Sequence, residues 1–198
     1  MSPFEYLLPL VSVLVGLAVA DASVSLHRLL RARHRVRWDG LPLATAALAV
    51  LTVLNVWWTF YARQGGGTYT ALAGFLPLAA VLVLLFLINA ASLPDEVPPG
   101  GLDLRAFYDE NARYFWTLYA AFVIVVTVER VRGYVGARSA GDGSPALDAA
   151  LEVLFNVPFV ASCLLLAVTR RRWVHVVVVA AMLVVSLWNW WGLRLALP

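Results

Sequence analysis

Lysine is absent from the sequence, and all 15 basic residues are arginine. Chemistry that depends on a lysine amine is therefore excluded, namely a retinal Schiff base, pyridoxal phosphate catalysis and nucleotide binding by a P-loop lysine. Charge of either sign is also scarce, because charged residues make up 14% of the chain against about 25% in a typical soluble domain. So few charges cannot cover the surface of a soluble domain, and that class is excluded as well.

Cysteine occurs once, as Cys163 within an apolar run. A single thiol excludes intrachain disulfides, thiolate zinc sites and iron–sulfur clusters. The formal net charge of +3 is spread over the loops between apolar segments. We therefore expect no nucleic-acid partner and expect contact with membrane lipids, including acidic headgroups.

Apolar residues occupy 62% of the 198 positions. Six segments of about 20 residues, each crossing a hydrocarbon core ~30 Å thick, would account for that excess. The sequence therefore predicts an all-α polytopic membrane protein in which residues 1-198 form a single transmembrane domain. The predicted spans are 4-29, 41-62, 70-93, 112-132, 147-169 and 173-193.

Arginine is unevenly distributed among the predicted loops. By the positive-inside rule the Arg-rich loops are cytoplasmic, which makes both termini extracytoplasmic. The arginines assigned to the cytoplasmic side are Arg28, Arg31, Arg33, Arg35, Arg37, Arg105, Arg113, Arg170, Arg171 and Arg172. In this orientation Trp57, Trp58, Trp190 and Trp191 share the outer interface, where aromatic belts occur. The preference for Arg over Lys is typical of a GC-rich bacterial genome, so we expect a bacterial cytoplasmic (inner) membrane location.

Residues 102-113 form a short amphipathic segment in the third loop. The segment follows a Pro-Pro-Gly-Gly turn and directs Leu104, Phe107, Tyr108 and the following Tyr114 toward lipid or protein. This pattern predicts a short helix that lies along the inner membrane surface.

Polar residues within the predicted spans fall into two layers by depth. The outer layer, beneath the Trp residues, consists of Asn55, Glu129, Glu152, Asn156 and Asn189. The inner layer consists of Asp21, Ser25, His27, Asn89 and His175. Hydrogen bonding between helices accounts for most residues of this kind. It accounts less well for carboxylates, because inserting one into a span costs about 2.5–3.5 kcal/mol.

Glu152 and Asn156 form the candidate ion-binding or ligand-binding pair of the outer layer. They are four residues apart, which puts both on one face of the fifth span. Pro158 frees a backbone carbonyl nearby. With the other three members of the outer layer at the same depth, these oxygen-rich surroundings suit a small cation. The alternative is an ion pair between Glu152 and Arg130 or Arg132.

Cofactor chemistry is weakly indicated. His27 and His175 lie near the inner ends of spans and are the residues that would ligate haem between helices. The sequence has no serine nucleophile with a base at a known spacing and no HExxH motif, so we assign no catalytic residue and no metal ligand. We expect no cofactor, with haem as the alternative.

Short motifs follow one another along the first part of the chain. They are Leu26-His27-Arg28-Leu29-Leu30, Trp38, Trp57-Trp58, Leu93-Pro94-Asp95-Glu96, Asp103-Leu104-Arg105, Tyr108, Asn111 and Tyr114-Phe115. In these motifs the chain resembles a family of uncharacterised bacterial six-span integral membrane proteins. That family has no assigned activity, so the resemblance implies a membrane protein and no particular function.

Three functions agree with these features. The leading hypothesis is a small homo-oligomeric ion channel or transporter that binds a small ion or small molecule in the polar seams between its helices. One alternative is a membrane-embedded enzyme acting on lipid or isoprenoid headgroups at the cytoplasmic surface, with Asp21, His27, Asn89 and His175 as its polar residues. The other is a non-catalytic assembly or sensor subunit. An enzyme is less favoured because no catalytic motif is present.

Overall fold

A computed structural model describes the chain over residues 3–62, 72–138 and 145–192, and describes side chains over 8–60, 75–134, 146–188 and at 190. The helices within these ranges are α1 (Pro3–Arg31), α2 (Gly40–Ala62), α3 (Leu72–Ala90), α4 (Leu104–Arg138), α5 (Pro145–Val168) and α6 (Arg172–Gly192). The all-α prediction is confirmed, and each predicted span overlaps one of these helices. Long runs of Leu, Val and Ala explain them, since such runs must satisfy their backbone groups internally when they leave water.

Four of the described helices are long and apolar enough to span a membrane. Their apolar segments are Leu8–Arg31, Gly40–Phe60, Leu104–Tyr134 and Ala146–Val168. The apolar segments of α3 and α6 are shorter, at Phe75–Ala90 and Arg172–Trp188. This composition is that of a multi-pass membrane protein.

Three connections between helices meet at one end of the bundle, which we call the basic end. They are residues 32–39, 91–103 and 169–171. Strand β1 (Val36–Arg37) in the first connection pairs in parallel with β2 (Leu102–Asp103) in the second. The side chain of Asp39 bonds to Arg172, which follows the third connection. The two loops richest in arginine are therefore neighbours in space.

Two aspartates begin the helices that leave the basic end. Asp39 Oδ1 accepts a hydrogen bond from the Leu41 backbone N–H at 2.9 Å. Asp103 Oδ1 accepts from the backbone N–H groups of Arg105 at 2.9 Å and Ala106 at 3.2 Å. The first turn of a helix leaves its N–H groups without backbone partners, so these side chains stabilise the starts of α2 and α4.

The main core is shared by all six helices, with α2 packed against α1, α3, α4 and α6. Trp116 and Tyr119 of α4 are its largest fully buried side chains. Tyr119 reaches neighbours on both sides, because its hydroxyl bonds to Thr52 on α2 and its ring centre lies 5.9 Å from that of Phe159 on α5. Aromatic side chains of α4 thus lie inside a described core that consists mostly of Leu, Val, Ile and Ala.

The separate amphipathic helix predicted at 102-113 is not found. Helix α4 runs without interruption from Leu104 to Arg138 and so includes both this segment and the predicted fourth span. No Pro or Gly occurs between Leu104 and Arg132, so nothing in that stretch breaks the helix. Leu104 and Tyr108 are buried against the bundle, and the apolar face therefore packs on protein.

Candidate functional site

Glu152 of the outer layer is held by two donors. Arg130 Nη1 on α4 and Asn156 Nδ2 on α5 each lie 3.0 Å from Glu152 Oε1. The Asn156 amide also donates to the Glu152 backbone carbonyl at 2.8 Å. The side chain of Glu152 is 13% exposed and that of Arg130 is 31% exposed. The charge that would attract a cation is therefore balanced by a guanidinium, as in the ion-pair alternative drawn from the sequence.

The other members of the outer layer lie apart from this pair. Glu129 binds Arg132 of its own helix at 3.2 Å. Asn55 is half-buried on α2, and among the described side chains it forms no hydrogen bond with Glu152 or Asn156. The side chain of Asn189 lies outside the described residues. Of the five predicted residues, the described structure joins Glu152 and Asn156.

The buried polar side chains of the described chain lie near the basic end. They are Ser25, Thr45, Asn89, Ser92 and His175. Those on helices lie within two turns of the basic end of their helix. Three of the five belong to the predicted inner layer, whose remaining members are half-buried Asp21 and exposed His27. We call the five buried residues together with Asp21 the inner polar layer. It differs from the predicted inner layer by including Thr45 and Ser92 and by leaving out His27.

His175 is held by a chain of hydrogen bonds between α4 and α6. Its Nε2 lies 2.8 Å from the backbone carbonyl of Thr169, which accepts, so Nε2 carries a proton. In the neutral ring Nδ1 is then an acceptor, and the Tyr108 hydroxyl donates to it at 2.8 Å. Trp116 Nε1 donates to the Tyr108 oxygen at 3.0 Å. Each polar group of this buried chain has a partner, as a stable buried network requires.

The Asp39–Arg172 ion pair lies beside this chain and couples two connections. Burial alone would raise the pKa of Asp39. The hydrogen bonds from Arg172 and from the Leu41 N–H, together with the charge of Arg105, outweigh burial and hold this pKa below its ordinary value. Arg172 Nη1 is buried and has no hydrogen-bond partner among the described residues. The carboxylate of Asp39 therefore serves both as an N-cap and as a counter-ion.

Two side-chain oxygens in the described part of the chain are buried without a donor, Oδ2 of Asp21 on α1 and Oδ1 of Asn89 on α3. Helices α1 and α3 pack against each other and run in the same direction. Leu29 and Leu93 share a small apolar cluster at the basic end. Ser25 and Asn89 each precede one of these leucines by four residues, so they lie at a similar depth along the bundle axis. Asp21 then lies about one further turn, ~5 Å, along the bundle axis.

Haem ligation by His175 would break a hydrogen bond that already exists. Both of its ring nitrogens have partners, Tyr108 and Thr169, and His27 is exposed. Among the described residues, no three His, Cys, Asp or Glu side chains come together as a metal-ion site would require. The oxygens of Asp21 and Asn89 are the side-chain oxygens that stay without a donor in the described part of the chain.

Sequence reasoning missed four residues of this region, Asp39, Tyr108, Trp116 and Arg172. An aspartate before Gly and an apolar run is an N-cap signal that predicts the start of α2. Nothing in the sequence pairs Asp39 with Arg172, or Tyr108 with His175, since the members of each pair are far apart along the chain.

The length and apolar composition of its helices are those of a multi-pass membrane protein. Compared with protein families, curated proteins and solved structures, the chain matches none of them. Its function must therefore be argued from its own residues.

Proposed function

We propose that this chain is a small transport protein of the bacterial inner membrane that passes a small cation through its inner polar layer. The observation that carries the proposal is the pair of buried, unpartnered oxygens on Asp21 and Asn89. A buried acceptor without a donor costs about 1–3 kcal/mol. Oxygen atoms are the ligands that hard cations prefer, and polar groups at membrane depth mark ion pathways.

The contacts at the basic end support six crossings of the membrane. Helix α2 begins at this end, and the pairing of β1 with β2 brings the start of α4 to the same end. Helix α3 must therefore return the chain from the far end of α2. Its 19 residues span about 28 Å, close to the ~30 Å hydrocarbon thickness. Helix α6 starts beside Asp39 and packs along α2, which supports a sixth crossing.

The cation site that we propose lies in the inner polar layer, whereas the sequence favoured the outer layer. Glu152 already has a guanidinium partner in Arg130, so a cation there would have to displace a covalently attached positive charge. Asp21 has no such partner among the described residues.

Assembly into a homo-oligomer is part of the proposal. Helix α5 packs mainly on α4 and leaves large apolar side chains uncovered, with Leu154 66% and Phe155 77% exposed. An uncovered apolar helix face can pack on another copy of the chain, and in the proposal this face of α5 makes the subunit contact.

The test is cation flux into liposomes that contain the purified protein, with gradients of H⁺, Na⁺ and K⁺ measured separately by fluorescent dyes. We expect flux above that of empty liposomes for at least one of these ions. Asp21→Asn keeps the shape and removes the charge, and it should lower that flux about tenfold, the effect of ~1.4 kcal/mol of binding. Asn89→Leu, which removes the second oxygen at similar volume, should act in the same direction.

The matched control is Glu152→Gln, which also removes one carboxylate charge from a span. We expect flux per folded protein to stay within a factor of about two, equivalent to ~0.4 kcal/mol, because this residue binds no ion in the proposal. Wild-type protein that conducts no more than empty liposomes would reject transport. A greater loss in Glu152→Gln than in Asp21→Asn would return the site to the outer layer.

The enzyme alternative is less well supported by the geometry. His175 is 4% exposed and both of its ring nitrogens are engaged, so it offers no free base to a lipid headgroup. A non-catalytic assembly subunit would use the same exposed face of α5, and protein that is oligomeric but does not conduct would favour it.

A further inference from the structure

The ion pair between Asp39 and Arg172 joins two chain segments at the basic end, and each segment carries a tryptophan. Trp38 precedes Asp39 and Trp173 follows Arg172. Their side chains remain largely uncovered, with Trp38 42% and Trp173 64% exposed. Exposed Trp at the end of a membrane helix lies at headgroup level, because its ring is apolar and its N–H is polar.

Two arginines close in sequence to these tryptophans are exposed and have no acidic partner among the described side chains. Arg170 and Arg171 form no ion pair within the described part of the chain, whereas the adjacent Arg172 is neutralised by Asp39. Two carboxylates on neighbouring elements are also engaged, because Asp103 pairs with Arg37 at 3.3 Å and Asp109 lies 4.0 Å from Arg105. Among the described residues, Arg170 and Arg171 therefore have no bound counter-ion.

An apolar surface continues from this charge into the membrane. Val176 and Val177, one turn along α6 from Trp173, are 48% and 58% exposed. A ligand that is anionic at one end and apolar along its length matches this order of arginine, tryptophan and valine. Arginine suits the anionic end, since its planar guanidinium binds phosphate oxygens in pairs.

We propose that Arg170 and Arg171, with Trp38 and Trp173 beside them, form a binding site for the phosphate headgroup of an anionic phospholipid in the leaflet at the basic end. The acyl chains lie against Val176 and Val177. The site is composite, because Asp39–Arg172 fixes the first connection against the third. It does not depend on whether the protein transports an ion.

The experiment measures lipid binding to the full-length protein in detergent by native mass spectrometry, with phosphatidylglycerol and phosphatidylcholine titrated in parallel. We expect phosphatidylglycerol to bind more tightly. A basic residue near an anionic lipid surface contributes about a fivefold change in binding, so Arg170→Gln with Arg171→Gln should weaken phosphatidylglycerol binding about twenty-fivefold. Phosphatidylcholine binding should not change.

The control double variant is Arg31→Gln with Arg33→Gln, which removes the same charge from exposed positions at the end of α1. A much smaller loss in this control supports a defined site. Equal losses in both variants would mean diffuse attraction to charge and would overturn the proposal, as would no loss in either. Displacement of the lipid by excess inorganic phosphate would assign the site to a free anion instead. Thermal unfolding of each variant verifies that it is folded, which is expected because these arginines have no described ion-pair partners.

Discussion

At the residue scale, the carboxylate of Glu152 is stabilised by groups on two helices. Its Oε1 accepts from Arg130 and from Asn156, both at 3.0 Å. Glu152→Gln leaves the partly buried Arg130 guanidinium without a counter-ion. We expect the free energy of unfolding to fall by about 1–3 kcal/mol, because an uncompensated buried charge is costly. Unfolding in mixed micelles with increasing dodecyl sulfate measures this.

A comparison at the same end of the bundle tests the role of burial in that loss. Arg132→Gln breaks the pair with Glu129, but the Arg132 side chain is 67% exposed, so its loss should stay near ~0.5 kcal/mol. The double variant Glu152→Gln, Arg130→Gln should be less destabilised than the sum of its single variants. Additive losses would show that the two side chains do not interact.

Asp39 gives a second residue-scale prediction, on pH. Asp39→Asn keeps an oxygen that can accept from the Leu41 N–H and removes the charge that balances Arg172. We expect a loss of about 2 kcal/mol of unfolding free energy at neutral pH.

The sign of the pH effect follows from the lowered pKa of Asp39. The folded protein binds a proton at Asp39 less readily than the unfolded chain, whose Asp has a pKa of about 3.9. The stabilisation is therefore complete above that value and is lost as pH falls through the lower folded pKa. The difference between wild type and Asp39→Asn should shrink in acid. A constant difference down to pH ~2.5 would contradict the ion pair.

At the element scale, the connection between α3 and α4 depends on one glycine. Gly101 has φ of 95°, and a Cβ there would lie 2.8 Å from the backbone carbonyl oxygen of Arg35. An L-residue is strained at such a φ, and a backbone oxygen cannot move aside as a side chain can. Gly101→Ala should destabilise the protein by about 1–3 kcal/mol and loosen the pairing of β1 with β2.

The neighbouring glycine is a close control for this substitution. A Cβ at Gly100 meets nothing within 4 Å and its φ is not in the left-handed region. Gly100→Ala should leave the unfolding free energy within about 0.5 kcal/mol. Hydrogen exchange of the β1 and β2 amides locates the effect, and equal protection in both variants would argue against the role given to Gly101.

The sequence predicted most helix positions because apolar run length is a local property that can be read directly. It predicted a separate surface helix over 102-113, followed by a span from 112, because the segment follows a Pro-Pro-Gly-Gly turn and has its apolar residues on one face. A helix requires only backbone continuity, and α4 passes through this stretch with Asp109 exposed and Tyr108 buried. Helical period reveals which face is polar, whereas run length alone does not reveal where a helix ends.

The candidate site was less predictable, since its contacts join distant parts of the chain. The pattern placed His175 near the inner end of its span, yet Tyr108 comes from 67 residues earlier. It placed Glu152 at membrane depth and could not choose between a cation and Arg130. Spacing defines a face of one helix, and the partner on the next helix depends on packing, which one sequence leaves open.

At the scale of the whole molecule, the joined connections make one prediction about orientation. Because β1 pairs with β2 and Asp39 binds Arg172, all three connections at the basic end must lie on one side of the membrane. The arginines there should keep that side in the cytoplasm. Glu96 in the second connection and Asp148 near the far end are both exposed, so they report on opposite sides.

Single cysteines at these two positions test this orientation. The native Cys163 is fully buried, which keeps background labelling low. Glu96→Cys and Asp148→Cys each remove one negative charge and no arginine, so the two variants are matched in charge.

A membrane-impermeant maleimide added to intact bacterial cells, with the outer membrane permeabilised, should label position 148. It should reach position 96 only after the inner membrane is opened. The reverse pattern would show that the topology is inverted, with the arginine-rich basic end outside the cytoplasm. Labelling of both positions from outside would mean that α4 does not cross the membrane. Glu96 lies in the connection before α4 and Asp148 lies at the start of α5 after it, so the two positions report on the two ends of α4.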